Sequence, residues 1–84
     1  MADVVIYSTG YCPYCNRAKE LLQTKGVVYT EIRVDEHPEK REEMLAKSQR
    51  RTVPQIFING HAIGGCDDMY ALDQTGQLDK LLRG

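Results

Sequence analysis

GYCPYCNRAKELL, residues 10–22, places Cys12 and Cys15 two residues apart at the start of a predicted helix. Pro13 favours the first helical position, where its fixed φ suits the helix and its missing N–H needs no partner. Cys12 is then the N-cap residue, and Gly26 is expected to end the helix. Paired thiols at a helix start are compatible with three uses: a metal site, a structural disulfide or a redox catalyst.

β-Branched runs on both sides of this helix predict strands. VVIY (residues 4–7) precedes the helix and VVYTEIRV (residues 27–34) follows it, so the first three elements form a βαβ unit. Such a unit is expected to be parallel and right-handed. DEHPEKREEMLAKS (residues 35–48) then predicts a second helix that begins near Pro38.

The second half of the chain predicts a hairpin followed by a third helix. Residues 55–58 and 61–63 are short apolar runs joined by an Asn-Gly pair, which is typical of the type I′ turn between antiparallel strands. Asp67 and Asp68 are expected to begin the third helix, and Gly76 to interrupt it. Residues 77–83, QLDKLLR, add a terminal helical turn or two.

The composition indicates one globular domain over residues 1–84. Apolar residues make up 42% of the chain and charged residues 27%, which is ordinary for a globular protein. The 11 basic and 12 acidic residues leave a net charge of −1, which favours neither nucleic acid nor an anionic membrane as a partner. No apolar run approaches a membrane span of about 20 residues, and the N-terminus lacks the pattern of a cleavable leader. We therefore expect a cytoplasmic protein.

A structural disulfide or a zinc site explains the thiol pair poorly. A bond between Cys12 and Cys15 closes a very small loop, which constrains the unfolded chain little. Zinc needs about four ligands, and beyond the pair the chain offers only Cys66, His37 and His61. Both histidines are expected to be exposed surface residues.

Redox catalysis explains the pair better. The N-terminus of a helix carries partial positive charge and free N–H groups, which stabilise a thiolate at Cys12 and make it the nucleophile. Cys15, one turn deeper, is expected to be less exposed and to resolve a mixed disulfide formed on Cys12. Arg17 and Lys19 either add positive potential or are ordinary surface side chains.

Three motifs, taken in order, resemble the glutaredoxins of the small bacterial dithiol type. They are CPYC (residues 12–15), TVPQIFING (residues 52–60) and GGCDDMYAL (residues 64–72), and the likeness covers nearly the whole chain. The resemblance implies an α/β, thioredoxin-like fold with a four-stranded mixed sheet flanked by three helices. It also implies glutathione as reductant and co-substrate, with no metal required.

The resemblance also implies a glutathione site. It implies a cis peptide bond before Pro54, although the residues alone favour a trans proline that opens an edge strand. The stretch around Cys66 would hold the γ-glutamyl end of glutathione, and its aspartates would otherwise only cap the helix. Polar residues before the TVP motif would meet the glycyl carboxylate or form a solvated loop. The residues implied to bind glutathione are Tyr14, Arg51, Thr52, Val53, Pro54, Gly65, Cys66, Asp67 and Asp68, with Gln49 and Arg50 as further candidates.

Two positions leave the interpretation open. Many glutaredoxins carry a lysine three residues before the first cysteine, where this chain has Thr9. The thiolate or the bound glutathione would then be less stabilised, unless Arg50 or Arg51 compensates. Cys66 is either a small, half-buried residue at a helix start or a thiol that accepts glutathione or forms an intermolecular disulfide.

The sequence therefore predicts a glutathione-dependent thiol–disulfide oxidoreductase that reduces protein disulfides and glutathione mixed disulfides through Cys12 and Cys15. The resemblance suggests disulfide-containing or glutathionylated proteins, ribonucleotide reductase among them, as partners of a monomer. Two alternatives stay open. One is a redoxin reduced directly by thioredoxin reductase, and the other is an iron–sulfur carrier dimer with Cys12 and glutathione as ligands.

Overall fold

The computed structural model describes residues 2–83, and its strands form one mixed sheet. The strands are β1 (Val4–Ser8), β2 (Tyr29–Arg33), β3 (Gln55–Ile58) and β4 (His61–Gly64). Their order across the sheet is β2-β1-β3-β4. β1 runs parallel to β2 and antiparallel to β3, and β3 pairs antiparallel with β4. The predicted parallel pair and antiparallel hairpin are both confirmed.

Four helices pack on this sheet within the described residues, one more than the resemblance implied. They are α1 (Pro13–Thr24), α2 (Pro38–Ser48), α3 (Cys66–Gln74) and α4 (Gln77–Arg83). α4 is the segment for which the sequence predicted only a terminal helical turn or two. It is a separate helix because Gly76, with φ +80, changes the direction of the chain after α3. Within α4, Leu78 and Leu82 are one turn apart and both are buried. No helix between residues 2 and 83 is both long enough and apolar enough to cross a membrane.

The predicted strand over residues 27–34 is shorter in the structure, because its first residues complete the turn out of α1. The N–H of Val27 donates to the carbonyl of Leu22 at 3.4 Å. The side chain of Val28 is 79% exposed. Pairing with β1 begins only at Tyr29.

The two faces of the sheet carry separate apolar clusters, because successive side chains of a strand point to opposite faces. In β1, Ile6 contributes to the larger cluster and Tyr7 to the smaller one. The larger cluster comprises Val4, Ile6, Ala18, Leu21, Leu22, Ile56, Ile58, Cys66, Met69, Leu78 and Leu82, and the smaller comprises Tyr7, Val34, Met44 and Phe57. The sheet is thus the middle of three layers, with α1, α3 and α4 on one face and α2 on the other.

The β3–β4 turn has the geometry that its sequence predicts. φ is +53 at Asn59 and +82 at Gly60, and a type I′ turn requires positive φ at both central residues. The N–H of Asn59 donates to the carbonyl of Asp3 at 2.7 Å, and the N–H of Asp3 donates to the Asn59 side chain at 2.9 Å. These two bonds fasten the hairpin to the start of β1.

One end of the sheet brings the sequence motifs together. β1 ends there and leads through a short loop to Cys12 and α1. Because β3 is antiparallel to β1, the segment that enters β3 lies at the same end. That segment carries Val53 and Pro54, so the topology places the TVP motif beside the cysteine pair.

Candidate active site

Cys12 is the N-cap residue of α1, as predicted from the proline that follows it. Its backbone is extended, with φ −94 and ψ +115, and Pro13 occupies the first helical turn. The Sγ atom of Cys12 accepts a hydrogen bond from the backbone N–H of Cys15 at 3.4 Å. An N–H donor and the helix N-terminus both stabilise negative charge on this sulfur. The side chain of Cys12 is partly exposed and its thiol is free.

Cys15 occupies the opposite environment. Its side chain is fully buried, at 0% exposure, and its thiol is also free. Burial raises the pKa of the Cys15 thiol to about 12, while a hydrogen bond from the backbone of Thr9 acts in the opposite direction. The pair therefore combines one accessible sulfur with one that stays protonated at neutral pH.

The TVP motif lies directly against the accessible sulfur. The S–H of Cys12 donates to the carbonyl of Val53, with 3.8 Å between sulfur and oxygen. The Val53-Pro54 peptide bond is cis, as the resemblance implied. Pro54 itself is buried, so the motif presents backbone rather than side chain to the thiol.

A groove of about 320 Å³ extends from this contact towards the start of α3. Its walls come from three segments: the residue between the two cysteines, the TVP loop and the GGCDD motif. The lining residues are Tyr14, Arg50, Thr52, Val53, Pro54, Gly65, Cys66, Asp67 and Asp68. Eight of the nine residues that the resemblance implied for glutathione binding therefore line one groove.

The exception is Arg51, which does not line the groove, whereas Arg50 does. The Nη1 atom of Arg50 donates to Oδ2 of Asp68 at 2.9 Å. The backbone beyond α2 decides which arginine faces the groove. Gln49 has φ +61, and the Oγ atom of Ser48 accepts from the N–H of Arg50 at 3.1 Å. The sequence analysis proposed Arg51, with Arg50 as a further candidate, because the sequence contains no signal that shows which of two neighbouring arginines faces the groove.

The paired glycines allow the start of α3 to approach the TVP loop. Gly64 has φ +114, and a Cβ added there would collide with the carboxylate of Asp68. A Cβ on Gly65 would lie 3.3 Å from the carbonyl oxygen of Pro54, which is a tight contact. The absence of side chains at Gly64 and Gly65 therefore lets the start of α3 lie close to the TVP loop.

The two aspartates of this motif differ in their surroundings. Oδ2 of Asp68 accepts from the N–H of Gly65 at 2.9 Å and from Arg50 at 2.9 Å. These bonds hold the pKa of the Asp68 carboxyl below its usual range. Asp67 is exposed at the first turn of α3. Asp68 thus caps the helix, and Asp67 leaves its carboxylate facing solvent at the groove.

Cys66 begins α3 and forms part of the groove wall, with only 5% of its surface exposed. Burial and the neighbouring Asp67 raise the pKa of the Cys66 thiol. Thr9, at the position where many glutaredoxins carry lysine, is 2% exposed and does not line the groove. The predicted surface positions of His37 and His61 are confirmed, since both are exposed.

The family-model comparison matches a glutaredoxin model to residues 4–63. Over 83 residues the chain is 58% identical to glutaredoxin 3 of Escherichia coli (strain K12), covering 99% of this chain and 100% of that protein. Over 82 residues it is 55% identical to a glutaredoxin of Pseudomonas aeruginosa, covering 98% of each.

Solved structures are similar over nearly the whole chain. The crystal structure of a buckwheat glutaredoxin–glutathione complex aligns with a TM-score of 0.90 and 34% identity, covering 98% of this chain and 77% of that one. The solution structure of a Brucella melitensis glutaredoxin aligns with a TM-score of 0.85 and 54% identity, covering 98% and 89%. The predicted thioredoxin-like fold is thereby confirmed. These relatives, together with the pairing of one accessible and one buried thiol, identify a thiol–disulfide oxidoreductase, and the chain belongs to the glutaredoxin family.

Proposed function

We propose that this protein reduces glutathione mixed disulfides and protein disulfides at the expense of glutathione, with Cys12 as the nucleophile and Cys15 as the resolving thiol. The observation that carries the proposal is the asymmetry of the pair. Cys12 is accessible, receives an N–H hydrogen bond and lies beside a groove, whereas Cys15 is fully buried. Only the first of these sulfurs is placed to attack an external disulfide.

In the monothiol route, the Cys12 thiolate attacks the glutathionyl sulfur of a mixed disulfide. A bond forms between Cys12 and glutathione, the substrate's own S–S bond breaks, and the substrate leaves as a thiolate that takes a proton from water. The thiolate of a second glutathione then attacks the glutathionyl sulfur on Cys12. Glutathione disulfide leaves and the Cys12 thiolate is regenerated, so two glutathione molecules supply the two electrons.

In the dithiol route, Cys12 attacks a protein disulfide and becomes covalently linked to one of its sulfurs. Cys15 then attacks the Cys12 sulfur, which releases the reduced protein and leaves a Cys12–Cys15 disulfide for glutathione to reduce. The N–H of Cys15 already lies 3.4 Å from that sulfur, but the Cys15 thiol must first lose its proton. Burial raises the pKa of that thiol and opposes this step, whereas the monothiol route does not need it.

The charges around the groove match those of glutathione, which has two carboxylates and one ammonium group. Arg50 supplies a cation for the glycyl carboxylate, and the exposed Asp67 supplies an anion for the ammonium group. At the start of α3 the first intrahelical bond runs from Met69 to Gly65, so the three preceding N–H groups are free to receive the γ-glutamyl carboxylate. The glutathione bound in the buckwheat relative supports this proposal.

The family resemblance supports the wider setting that we propose. Residues 1–84 act as one domain and as a monomer in the cytoplasm, and need no metal. The protein substrates of this oxidoreductase are disulfide-containing or glutathionylated proteins, with ribonucleotide reductase as one candidate. Of the residues expected at the site, we keep Tyr14, Thr52, Val53, Pro54, Gly65, Cys66, Asp67 and Asp68 and replace Arg51 by Arg50.

The test is the glutathione-dependent reduction of the mixed disulfide between glutathione and 2-mercaptoethanol, with glutathione reductase as the coupling enzyme. We expect Cys12→Ser to abolish turnover and Cys15→Ser to retain it, since the monothiol route needs only the first cysteine. If Cys15→Ser lost turnover while Cys12→Ser kept it, the assignment of Cys12 as the nucleophile would be wrong. A wild-type protein that turns over only with thioredoxin reductase would show that the reductant is wrong.

A further inference from the structure

The described residues expose three large hydrophobic side chains, and two of them flank the nucleophile. Tyr11 is 78% exposed and Tyr14 is 54% exposed, on either side of Cys12 in the chain. The third, Val28, is 79% exposed. It lies just before β2, which is parallel to β1, and therefore at the opposite end of the sheet from Cys12. Exposed aromatic side chains around a reactive group are typical of a contact surface.

Tyr11 lies outside the glutathione groove and Tyr14 is part of it. The residue before Tyr11 is Gly10, whose N–H donates to the carboxylate of Asp35 at 3.2 Å. Asp35 follows β2, whereas the TVP segment of the groove precedes β3. β2 and β3 lie on opposite sides of β1 in the sheet, so the loop that carries Tyr11 is fastened on the side of Cys12 away from the groove.

The loop that carries Tyr11 is held in place. Arg33 donates to both carboxylate oxygens of Asp35, at 2.9 and 2.8 Å, and Asp35 in turn holds the N–H of Gly10. A Cβ on Gly10 would collide with the guanidinium group of Arg33, so this ion pair packs directly against the loop. The backbone next to Tyr11 is thus anchored at the end of β2, which lowers the entropic cost of any contact that Tyr11 makes.

We propose that Tyr11 is a specificity-determining residue that binds an apolar side chain next to the glutathionylated cysteine of a protein substrate. The inference rests on the proposed function, since it assumes that glutathione occupies the groove. The protein part of the mixed disulfide must then lie over the surface around Cys12 that the groove leaves free. Tyr11 is the large apolar side chain on that surface.

The reaction step affected is the first thiol–disulfide exchange. The Cys12 thiolate forms a bond to the glutathionyl sulfur, the bond between that sulfur and the protein's cysteine breaks, and the protein departs as a thiolate that takes a proton from water. No further oxidant or reductant takes part. A contact between Tyr11 and the departing chain acts on this step and not on the later attack by free glutathione.

The experiment compares two glutathionylated peptides that are identical except for leucine or serine on each side of the cysteine. In a ping-pong sequence, kcat/KM for the peptide reports the first exchange. We expect the wild-type protein to favour the leucine peptide about fivefold, as burial of part of one aliphatic side chain predicts, and Tyr11→Ser to bring that ratio to about one. Neither peptide carries a charge next to the cysteine, so the reactivity of the leaving thiol is matched.

Two variants sharpen the result. Tyr11→Phe keeps the ring and is expected to keep the preference, whereas Val28→Ser removes an equally exposed apolar side chain at the far end of the sheet and is expected to leave it unchanged. A Tyr11→Ser protein that reduces the small mixed disulfide but keeps the wild-type ratio overturns the proposal. A wild-type protein that reduces neither peptide nor the small mixed disulfide overturns the proposed function instead.

Discussion

The guanidinium group of Arg50 reaches across the groove to the carboxylate of Asp68, with 2.9 Å between Nη1 and Oδ2. The two residues belong to opposite walls, because Arg50 follows α2 and Asp68 lies in the first turn of α3. The pair is about half exposed, so it adds little to the stability of the fold. The ion pair matters for ligand binding instead, because it holds the guanidinium group of Arg50 at the mouth of the groove.

Replacement of Arg50 by glutamine should raise the KM for the glutathione–mercaptoethanol mixed disulfide about fivefold, because a charge-assisted hydrogen bond to a carboxylate is lost. Arg51→Gln makes the same charge change one residue away and outside the groove. The measurement is steady-state kinetics of both variants at low and high salt. If both variants raised KM equally, the effect would come from net charge alone and not from a contact of Arg50.

Alkylation should distinguish the two active-site thiols by their exposure and ionisation. Burial is the largest cause that raises the pKa of Cys15, and it remains when Cys12, which raises that pKa further, is replaced. In Cys12→Ser, modification of Cys15 by iodoacetamide should therefore be slow at pH 8 and accelerate as the pH rises to 10. Mass spectrometry of peptide digests gives the rate at each cysteine. In urea, where burial is lost, the same thiol should react at an ordinary rate, and equal rates with and without urea would contradict its burial.

Much of the site could be predicted from local sequence rules. Pro13 fixes the start of α1, and the start of α1 makes Cys12 the N-cap. The turn formed by Asn59 and Gly60 needs positive φ at both residues, which the Asn-Gly pair favours strongly. In both cases a residue and its immediate neighbours decide the geometry.

Other features depended on tertiary contacts and could not be predicted in the same way. Arg50 rather than Arg51 lines the groove, and its guanidinium group bonds to Asp68, 18 residues away in the sequence. Thr9 lies just beyond the end of β1 and is only 2% exposed, which the polarity of its side chain does not predict. A loop residue takes its surroundings from segments that pack against it, and these are distant in sequence.

Tyr7 should make the stability of the fold depend on alkaline pH. Its hydroxyl donates to Oε2 of Glu43 at 2.8 Å, and burial together with this bond raises the pKa of Tyr7 to about 12, from 10.0. In the unfolded chain tyrosine loses its proton near pH 10, so the stability that Tyr7 contributes is complete below that pH and is lost as the pH rises towards 12. Tyr7→Phe should cost about 1 kcal/mol at neutral pH, and the difference from wild type should shrink above pH 10. Urea unfolding of both proteins between pH 7 and pH 11.5 measures it, and a constant difference would contradict the linkage.

Alanine at Gly64 should damage both the fold and the groove. The residue has φ +114, and a Cβ there would collide with the carboxylate of Asp68, which would have to release the N–H of Gly65 or the guanidinium of Arg50. We expect a loss of about 2–4 kcal/mol in the free energy of unfolding, because backbone strain and a lost cap add together. The substrate KM should rise as well, since the wall of the groove moves.

Gly60→Ala is the matched control for this substitution. Gly60 also has a positive φ, +82, but no heavy atom lies within 4 Å of a Cβ added there. The control therefore carries backbone strain alone, about 1 kcal/mol, and its turn lies beyond the groove. Urea unfolding and the KM for the glutathione–mercaptoethanol mixed disulfide should be measured on both variants. Because only Gly64 faces Asp68, a similar loss of stability and a similar KM in the two variants would show that the contact between Gly64 and Asp68 does not set the position of the groove wall.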